Sequence, residues 1–301
     1  MKKFIVVLAI CLCLCLVFSG CGVKNVAPQK LKITASCISV YDFAVAVAGD
    51  LGAVDLILPP GSDLHAFEPT AKNIVDIANS NLFVYIGGES ENWVNKILES
   101  VSTQNVLKTA DFLTETESHS HEHNHSHPDE HFWTSPQNAI IMVEQIKNKI
   151  CQIDKTNAAI YEENANNYIN KINEEAQKTK EVVENSRLKT LIVPDRFPYE
   201  YFAEYYGLDH ISAFSGCAKD TDADLLTVTN LINSVKENNA KAVFVTELSS
   251  GFLANTVAEN TGAKVIELHS FHNISINDFN NNVTYLNIMA RNRQALKEGL
   301  N

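Results

Sequence analysis

Basic side chains are in short supply in this chain: 24 lysines and arginines stand against 36 aspartates and glutamates, giving a formal net charge of -12 over 301 residues. Nucleic-acid binding needs clustered cations, so this balance argues against such a partner and is compatible with binding cations. No apolar run is long enough to span a bilayer comfortably. The run at residues 4–18 follows Lys2 and Lys3, which is the layout of an export signal over residues 1–20. Cysteine gives no framework either. Cys11, Cys13 and Cys15 fall in that signal and Cys21 just after it, while Cys37, Cys151 and Cys217 match neither a zinc ribbon nor a disulfide pattern. Buried, inert thiols are the expectation for these last residues, with one disulfide as the alternative. Glycine and proline are missing altogether from residues 137–186, so nothing there interrupts a helix.

What the chain has in excess is histidine, concentrated in one place. His119, His121, His123, His125 and His127 alternate with polar residues, and His131 follows Asp129-Glu130 and opens an aromatic segment with Phe132 and Trp133. Imidazole suits borderline metals such as Zn²⁺ at neutral pH, so the tract is a compositional metal signal. Residues 118–127 have no apolar side chain to fold around and read as a metal-collecting loop, whereas His131 has aromatic neighbours to anchor it. His121-Glu122-His123-Asn124-His125 also fits the zinc-protease pattern. A histidine-rich tract generates that match by composition, and no apolar periodicity supports the buried helix it needs.

The remaining chain reads as α/β. Short apolar runs at residues 30–35, 54–58, 82–86, 190–193, 242–246 and 264–268, with one near His210, alternate with helical patterns at 40–48, 71–79, 91–100, 199–206, 224–235 and 253–260. Such alternation implies parallel pairing. Thr70 is placed to cap the helix at 71 and Gly262 to stop the one at 253. Between these halves, Tyr161, Ala165, Tyr168, Ile172 and Ala176 recur at helical spacing, predicting a long helix over 157–185 after a shorter one over 137–152. A last helix is expected over 282–297. The organisation is therefore an export signal at 1–20, a tether at 21–29, an N-terminal α/β lobe at 30–155, a linking helix at 156–187 and a C-terminal α/β lobe at 188–301. Small residues before Cys21 resemble the bacterial lipoprotein box, which implies a lipid anchor on Cys21; simple secretion is the alternative.

Ligands in parallel α/β sheets collect on the loops beyond the carboxyl ends of strands, and a cleft between two lobes collects them from both. His65, Glu247 and His269 occupy such loops, and His131 lies just before a helix. A lone histidine is more often structural than ligating. Several at equivalent loop positions, in a chain with a histidine tract, reverse those odds.

The segments Leu58-Pro59-Pro60-Gly61-Ser62-Asp63-Leu64-His65-Ala66-Phe67-Glu68-Pro69-Thr70 and Asp129-Glu130-His131-Phe132-Trp133-Thr134-Ser135-Pro136 resemble the first and second ligand motifs of the zinc and manganese substrate-binding proteins of ABC importers. The resemblance implies two α/β lobes joined by a rigid helix, with His65 and His131 as ligands from the first lobe. The second lobe departs from the pattern. Counting back from Tyr201-Phe202 and Tyr206-Gly207-Leu208 puts Arg196 where the family has a histidine or glutamate, and a guanidinium has no lone pair to offer. The family's last ligand, an aspartate, falls where this chain has Leu268-His269-Ser270. The expected set is His65, His131 and His269, with Glu247, Asp195 or water completing it, His272 in reserve and His210 structural.

Three imidazoles and at most one carboxylate favour Zn²⁺ over Mn²⁺, which prefers oxygen donors. The expected function is capture of zinc at the outer face of the cytoplasmic membrane by a lipid-anchored monomer. It would deliver the ion to an ABC permease without catalysing a reaction. A secreted zinc hydrolase with Glu247 as base, and a structural lipoprotein using the tract as a metal buffer, are the rivals.

Overall fold

The computed structural model describes residues 30–101, 105–113, 129–215 and 223–301. The export signal, the tether with Cys21, the tract from His119 to His127, and Cys217 lie outside the described residues.

Four strands, β1 (Leu31–Ala35), β2 (Gly52–Leu56), β3 (Leu82–Tyr85) and β4 (Val106–Lys108), form a parallel sheet in the order β2-β1-β3-β4. Ile33 at its centre pairs with Val54 on one side and Leu82 on the other. Helix α1 (Ile38–Ala48) lays Val40, Phe43, Ala44 and Val47 into the core of this half. Helix α2 (Ala71–Ala78) begins at Thr70, whose hydroxyl accepts the Asn73 N–H at 3.3 Å while Asn73 Oδ1 accepts the Thr70 N–H at 2.8 Å. That reciprocal cap satisfies two of the donors a helix start leaves over. Helix α3 (Asn92–Ser100) follows β3. Strand β4, three residues long, was too short to register as a pattern in the sequence.

Helix α4 (Pro136–Ile153) leads into α5 (Ala158–Asn185), whose 28 residues make it about 42 Å long at ~1.5 Å per residue. Its buried stripe crosses two cores. Tyr161, Ala165, Ile172 and Ala176 pack in the core of the first half, and Val183 in that of the second.

The second half is parallel as expected, but its strands associate in two separate pairs: β5 (Thr190–Phe197) with β6 (Asp209–Ser215), and β7 (Ala242–Val245) with β8 (Lys264–Glu267). The sequence reading ended β5 at Val193, just before Pro194. The strand instead continues, with the register shifting between Val193 and Arg196. One extra residue is absorbed as a bulge, a device that re-aims the side chains beyond it. Helices α6 (Glu200–Tyr206), α7 (Leu225–Glu237) and α8 (Phe252–Thr261) flank these strands. Helix α8 stops at Gly262, whose φ of +77° glycine adopts without strain.

Two terminal elements, α9 (Ile276–Asn280) and α10 (Tyr285–Gly299), complete the chain. Helix α10 is a second bridge that periodicity did not reveal. Tyr285, Ile288 and Met289 belong to the first core with Phe271 and Ile274, whereas Ala295 and Leu296 belong to the second. Arg293 Nε ties it to Glu175 of α5 at 2.6 Å. Asp42 of α1 accepts hydrogen bonds from the Tyr168 hydroxyl of α5 and, at 3.2 Å, from the Tyr285 N–H of α10. Burial raises Asp42 to about 6 against the lowering effect of those donors.

Cys37 and Cys151 are free thiols, and burial pushes Cys37 up to about 12, which keeps it protonated. Among the described residues no helix is long and apolar enough to cross a membrane.

Candidate metal centre

Histidine 131 is fully buried at the start of the turn Phe132–Thr134. Its Nδ1 pairs with Asp129 Oδ1, and its backbone N–H donates to the same oxygen at 3.0 Å. Burial opposes a charge on His131, but the nearby carboxylates of Asp129, Glu130 and Glu247 outweigh it and raise the imidazole above its ordinary range. Burial likewise opposes the charge of Asp129, and the His131 contacts overcome it, holding that carboxyl below its usual value. A carboxylate on Nδ1 fixes the tautomer that carries its lone pair on Nε2, the arrangement found behind metal-binding histidines. The Tyr201 hydroxyl donates to the Asp129 carbonyl at 3.1 Å, and Glu130 Oε2 accepts the Ser90 N–H at 3.0 Å, so this segment is held from both sides.

The ring that meets His131 is His272. Their centroids are 4.9 Å apart with an 80° angle between planes. Trp133 stands beside both, 5.4 Å from His131 and 5.9 Å from His272. Its Nε1–H donates to the Ser270 carbonyl at 2.8 Å, and its own carbonyl accepts from the Tyr285 hydroxyl at 2.7 Å. The tryptophan thus fixes the distance between the two loops.

Glu247 organises the loop carrying His272. Its Oε2 accepts the Ser270 N–H at 2.7 Å, while Oε1 accepts the Ser270 hydroxyl at 2.7 Å and the His272 and Asn273 N–H groups at 3.0 and 3.3 Å. Both oxygens are engaged with loop donors, so Glu247 holds this loop together. Asp195 is similarly committed. Its Oδ1 accepts the Arg196 N–H at 2.8 Å, and its Oδ2 accepts from the Thr246 hydroxyl at 3.0 Å.

His269 lies at the start of the same loop, its Nδ1 3.6 Å from Glu247 Oε2. Its backbone is clamped by Asn292, which accepts its N–H at 2.8 Å and donates to its carbonyl at 2.7 Å. Its Nδ1 accepts the Phe271 N–H at 2.9 Å, and its ring lines a small cavity with Thr134, Tyr199 and Tyr206. Phe271, buried and at a φ of +55°, turns the chain between the two histidines. A left-handed phenylalanine costs about 1–2 kcal/mol, and the engaged Glu247 and Asn292 contacts on either side hold it there. His210 stacks on Phe197 at 3.7 Å between centroids, consistent with a structural role.

The backbone of His65 lies in the turn Leu64–Ala66; its side chain is outside the described atoms. The preceding loop is tied to the loop of His272. Gly61 N–H donates to the Ile274 carbonyl at 2.8 Å, and Asn273 Nδ2 donates to the carbonyls of Ser62 and Pro59. Among the described residues no three His, Cys, Asp or Glu side chains form a metal-holding group; the rings of His131 and His272 do meet. Beside them opens a cleft of about 510 Å³ lined by Asp63, Arg196, Ser249, Ser250, Phe252 and His272.

The signature of the ZnuA family, described as the periplasmic component A of a zinc-uptake complex, matches residues 33–299. The chain belongs to the ZnuA family. Among its relatives, the high-affinity zinc uptake system protein ZnuA of Bacillus subtilis is 30% identical over 283 residues, covering 90% of this chain and 88% of that protein. The zinc-binding lipoprotein AdcA of Streptococcus pneumoniae is 30% identical over 309 residues, covering 99% of this chain; the chain spans 61% of that relative's length. In three dimensions the chain is similar to the metal-dependent lipoprotein YcdH of Bacillus subtilis, with a TM-score of 0.78 at 27% identity over 90% of this chain and 99% of that one. It is similar also to the Zn(II)-bound ZnuA-like domain of Streptococcus pneumoniae AdcA, with a TM-score of 0.75 at 27% identity over 90% and 99%. Within this ZnuA fold the sequence reading of the last loop chose His269 over His272. The two lie three residues apart, with the left-handed turn at Phe271 between them.

Proposed function

We propose that this protein is the extracytoplasmic receptor of a zinc importer, capturing Zn²⁺ between its halves and delivering it to an ABC permease. The observation that carries the reading is the meeting of His131 and His272 at 4.9 Å, from loops in opposite halves of the chain. Two imidazoles on one tetrahedral zinc, each with its nitrogen about 2.0–2.1 Å from the ion, fit that spacing. His65, on the loop bonded to Asn273, supplies the third imidazole, and His272 takes the role first given to His269. Glu247 and Asp129 hold the ligand loops in place. An all-imidazole set favours zinc over manganese.

The lobes at 30–155 and 188–301, the linking helix at 156–187, the export signal at 1–20 and a lipid anchor on Cys21 complete the reading. The receptor is a monomer at the outer face of the cytoplasmic membrane, and residues 118–127, with His119, His121, His123, His125 and His127, collect zinc for the buried site. It catalyses no reaction.

Zinc titration against a competing chelator tests this. His65→Ala, His131→Ala and His272→Ala each weaken the tight site by more than about 100-fold, beyond the loss typical of an outer-shell change, while His269→Ala does so far less. Equal affinity in all four variants and the parent protein would overturn the assignment.

A further inference from the structure

Trp133 spans the loops of His131 and His272. Its side chain is fully buried, and its Nε1–H donates to the Ser270 carbonyl at 2.8 Å, joining residues 137 positions apart in the chain. One end of that bond lies two residues after His131 and the other two residues before His272. Both ends are themselves pinned. The Trp133 carbonyl accepts from the Tyr285 hydroxyl at 2.7 Å, and the Thr134 hydroxyl donates to the His131 carbonyl at 2.8 Å. Ser270 gives its N–H and its hydroxyl to Glu247, each at 2.7 Å. A hydrogen bond sealed from water has no solvent partner to exchange with, and breaking it strands a buried carbonyl. The spacing of the two imidazoles, 4.9 Å between centroids, is therefore a property of the protein's own bonds.

That spacing bears on ion size. Raw affinity for a nitrogen-donor site would put copper above zinc and leaves neighbouring ions close, so preference has to come from geometry. Two imidazoles on a tetrahedral zinc, with bonds of about 2.0–2.1 Å, have their centres about 5 Å apart. An ion with bonds about 0.3 Å longer would push those centres apart by about 0.5 Å, the limit within which a preorganised site holds its geometry. Loosely tethered loops would absorb that shift, whereas loops joined through Trp133 and Ser270 resist it.

We propose that Trp133 is a positioning residue that determines ion specificity: its hydrogen bond to Ser270 fixes a gauge between His131 and His272 that fits zinc and penalises larger divalent ions. This rests on the proposed function and names what makes that site selective.

Cadmium is the probe, since it shares zinc's charge and filled d shell and differs in size. Chelator competition gives the ratio of zinc to cadmium affinity for the parent protein and for Trp133→Phe, which keeps an aromatic ring and loses the N–H. The parent is expected to prefer zinc, and the variant's ratio to be about tenfold or more lower, in line with the loss of one buried hydrogen bond. Tyr285→Phe, which frees the Trp133 carbonyl, lowers the ratio in the same direction by less. A tryptophan that served only to fill the core would weaken both ions alike, so equal losses with an unchanged ratio would overturn the proposal, as would a parent without zinc preference. A second measurement needs no variant at 133: NMR hydrogen exchange of the indole N–H, assigned with Trp93→Phe. Slow exchange is expected with and without zinc, because the gauge precedes the ion. Fast exchange in the metal-free protein would overturn the proposal even where Trp133→Phe does not fold. A parent protein that binds neither ion tightly would instead overturn the function on which the proposal rests.

Discussion

The imidazole of His272 stands edge-on to that of His131, 4.9 Å between centroids, with Trp133 packed beside the two rings and hydrogen-bonded across to Ser270. One ring arrives after the histidine tract and the other from a loop near the chain's end. Their encounter is produced by the supports behind them, Asp129 on one side and Glu247 on the other, and those supports carry the predictions.

Replacing Asp129 with alanine removes the carboxylate that orients His131. Zinc affinity is expected to fall about 10–100-fold, as for other outer-shell partners of metal-binding histidines. Chelator competition measures it, and an unchanged affinity would remove Asp129 from the site's support.

Zinc binding should weaken on acidification, and at a higher pH than an ordinary histidine would impose. The carboxylates around His131 raise its pKa above the usual value of about 6.5, so protons compete with the metal sooner as pH falls. In Asp129→Asn that midpoint moves to lower pH. A titration of affinity between about pH 5.5 and 8 reads both curves, and coincident midpoints would contradict the role of Asp129.

Glu247→Gln leaves the loop at 270–273 with fewer charge-assisted acceptors. Stability should drop by about 2–3 kcal/mol, the range for losing hydrogen bonds to a buried charge, and zinc affinity should fall with it because His272 loses its anchor. A hydrolase using Glu247 as base predicts a hydrolytic activity that this variant abolishes. A stable Glu247→Gln protein with unchanged zinc affinity would remove the clamp.

Glu91 is buried beneath the sheet's end, accepting the Ile86 and Gly87 N–H groups at 2.8 and 2.7 Å, and burial raises it to about 7 despite those bonds. A carboxyl raised in the fold binds a proton there that the unfolded chain releases. Its contribution is therefore full below about pH 4.5 and lost as pH rises through 7. The size is on the order of 3 kcal/mol. Urea unfolding across that window should show stability declining with pH, and Glu91→Gln should flatten the decline, leaving the smaller share of Asp42, whose raised value of about 6 acts in the same direction. An identical pH slope in the variant would count against the buried, proton-holding state of Glu91.

Deleting residues 118–127 should remove weak extra zinc sites and leave one tight site. Isothermal titration counts both classes, and loss of the tight site would favour a metal buffer over a receptor.

Much of the fold was legible because its signals are local. Thr70 caps α2, Gly262 ends α8, and the stripe from Tyr161 to Ala176 marks α5; each depends on neighbours within a turn or two. The loops of His65 and His131 stood out too, since both residues sit in long motifs of their own. Strand β4 and the bulge after Val193 escaped, one being too short for a period and the other hidden behind a proline that ordinarily ends a strand.

The sequence alone determined the elements, the parallel pairing and the supply of imidazoles, because periodicity, caps and composition act over short stretches of chain. Only the tertiary structure set His272 beside His131 and turned Glu247 onto the loop at 270–273. Those outcomes turn on a left-handed residue at Phe271 and on bonds from Asn292, Trp133 and Glu247 to one loop, and a contact between distant residues leaves no periodic trace in the chain that makes it.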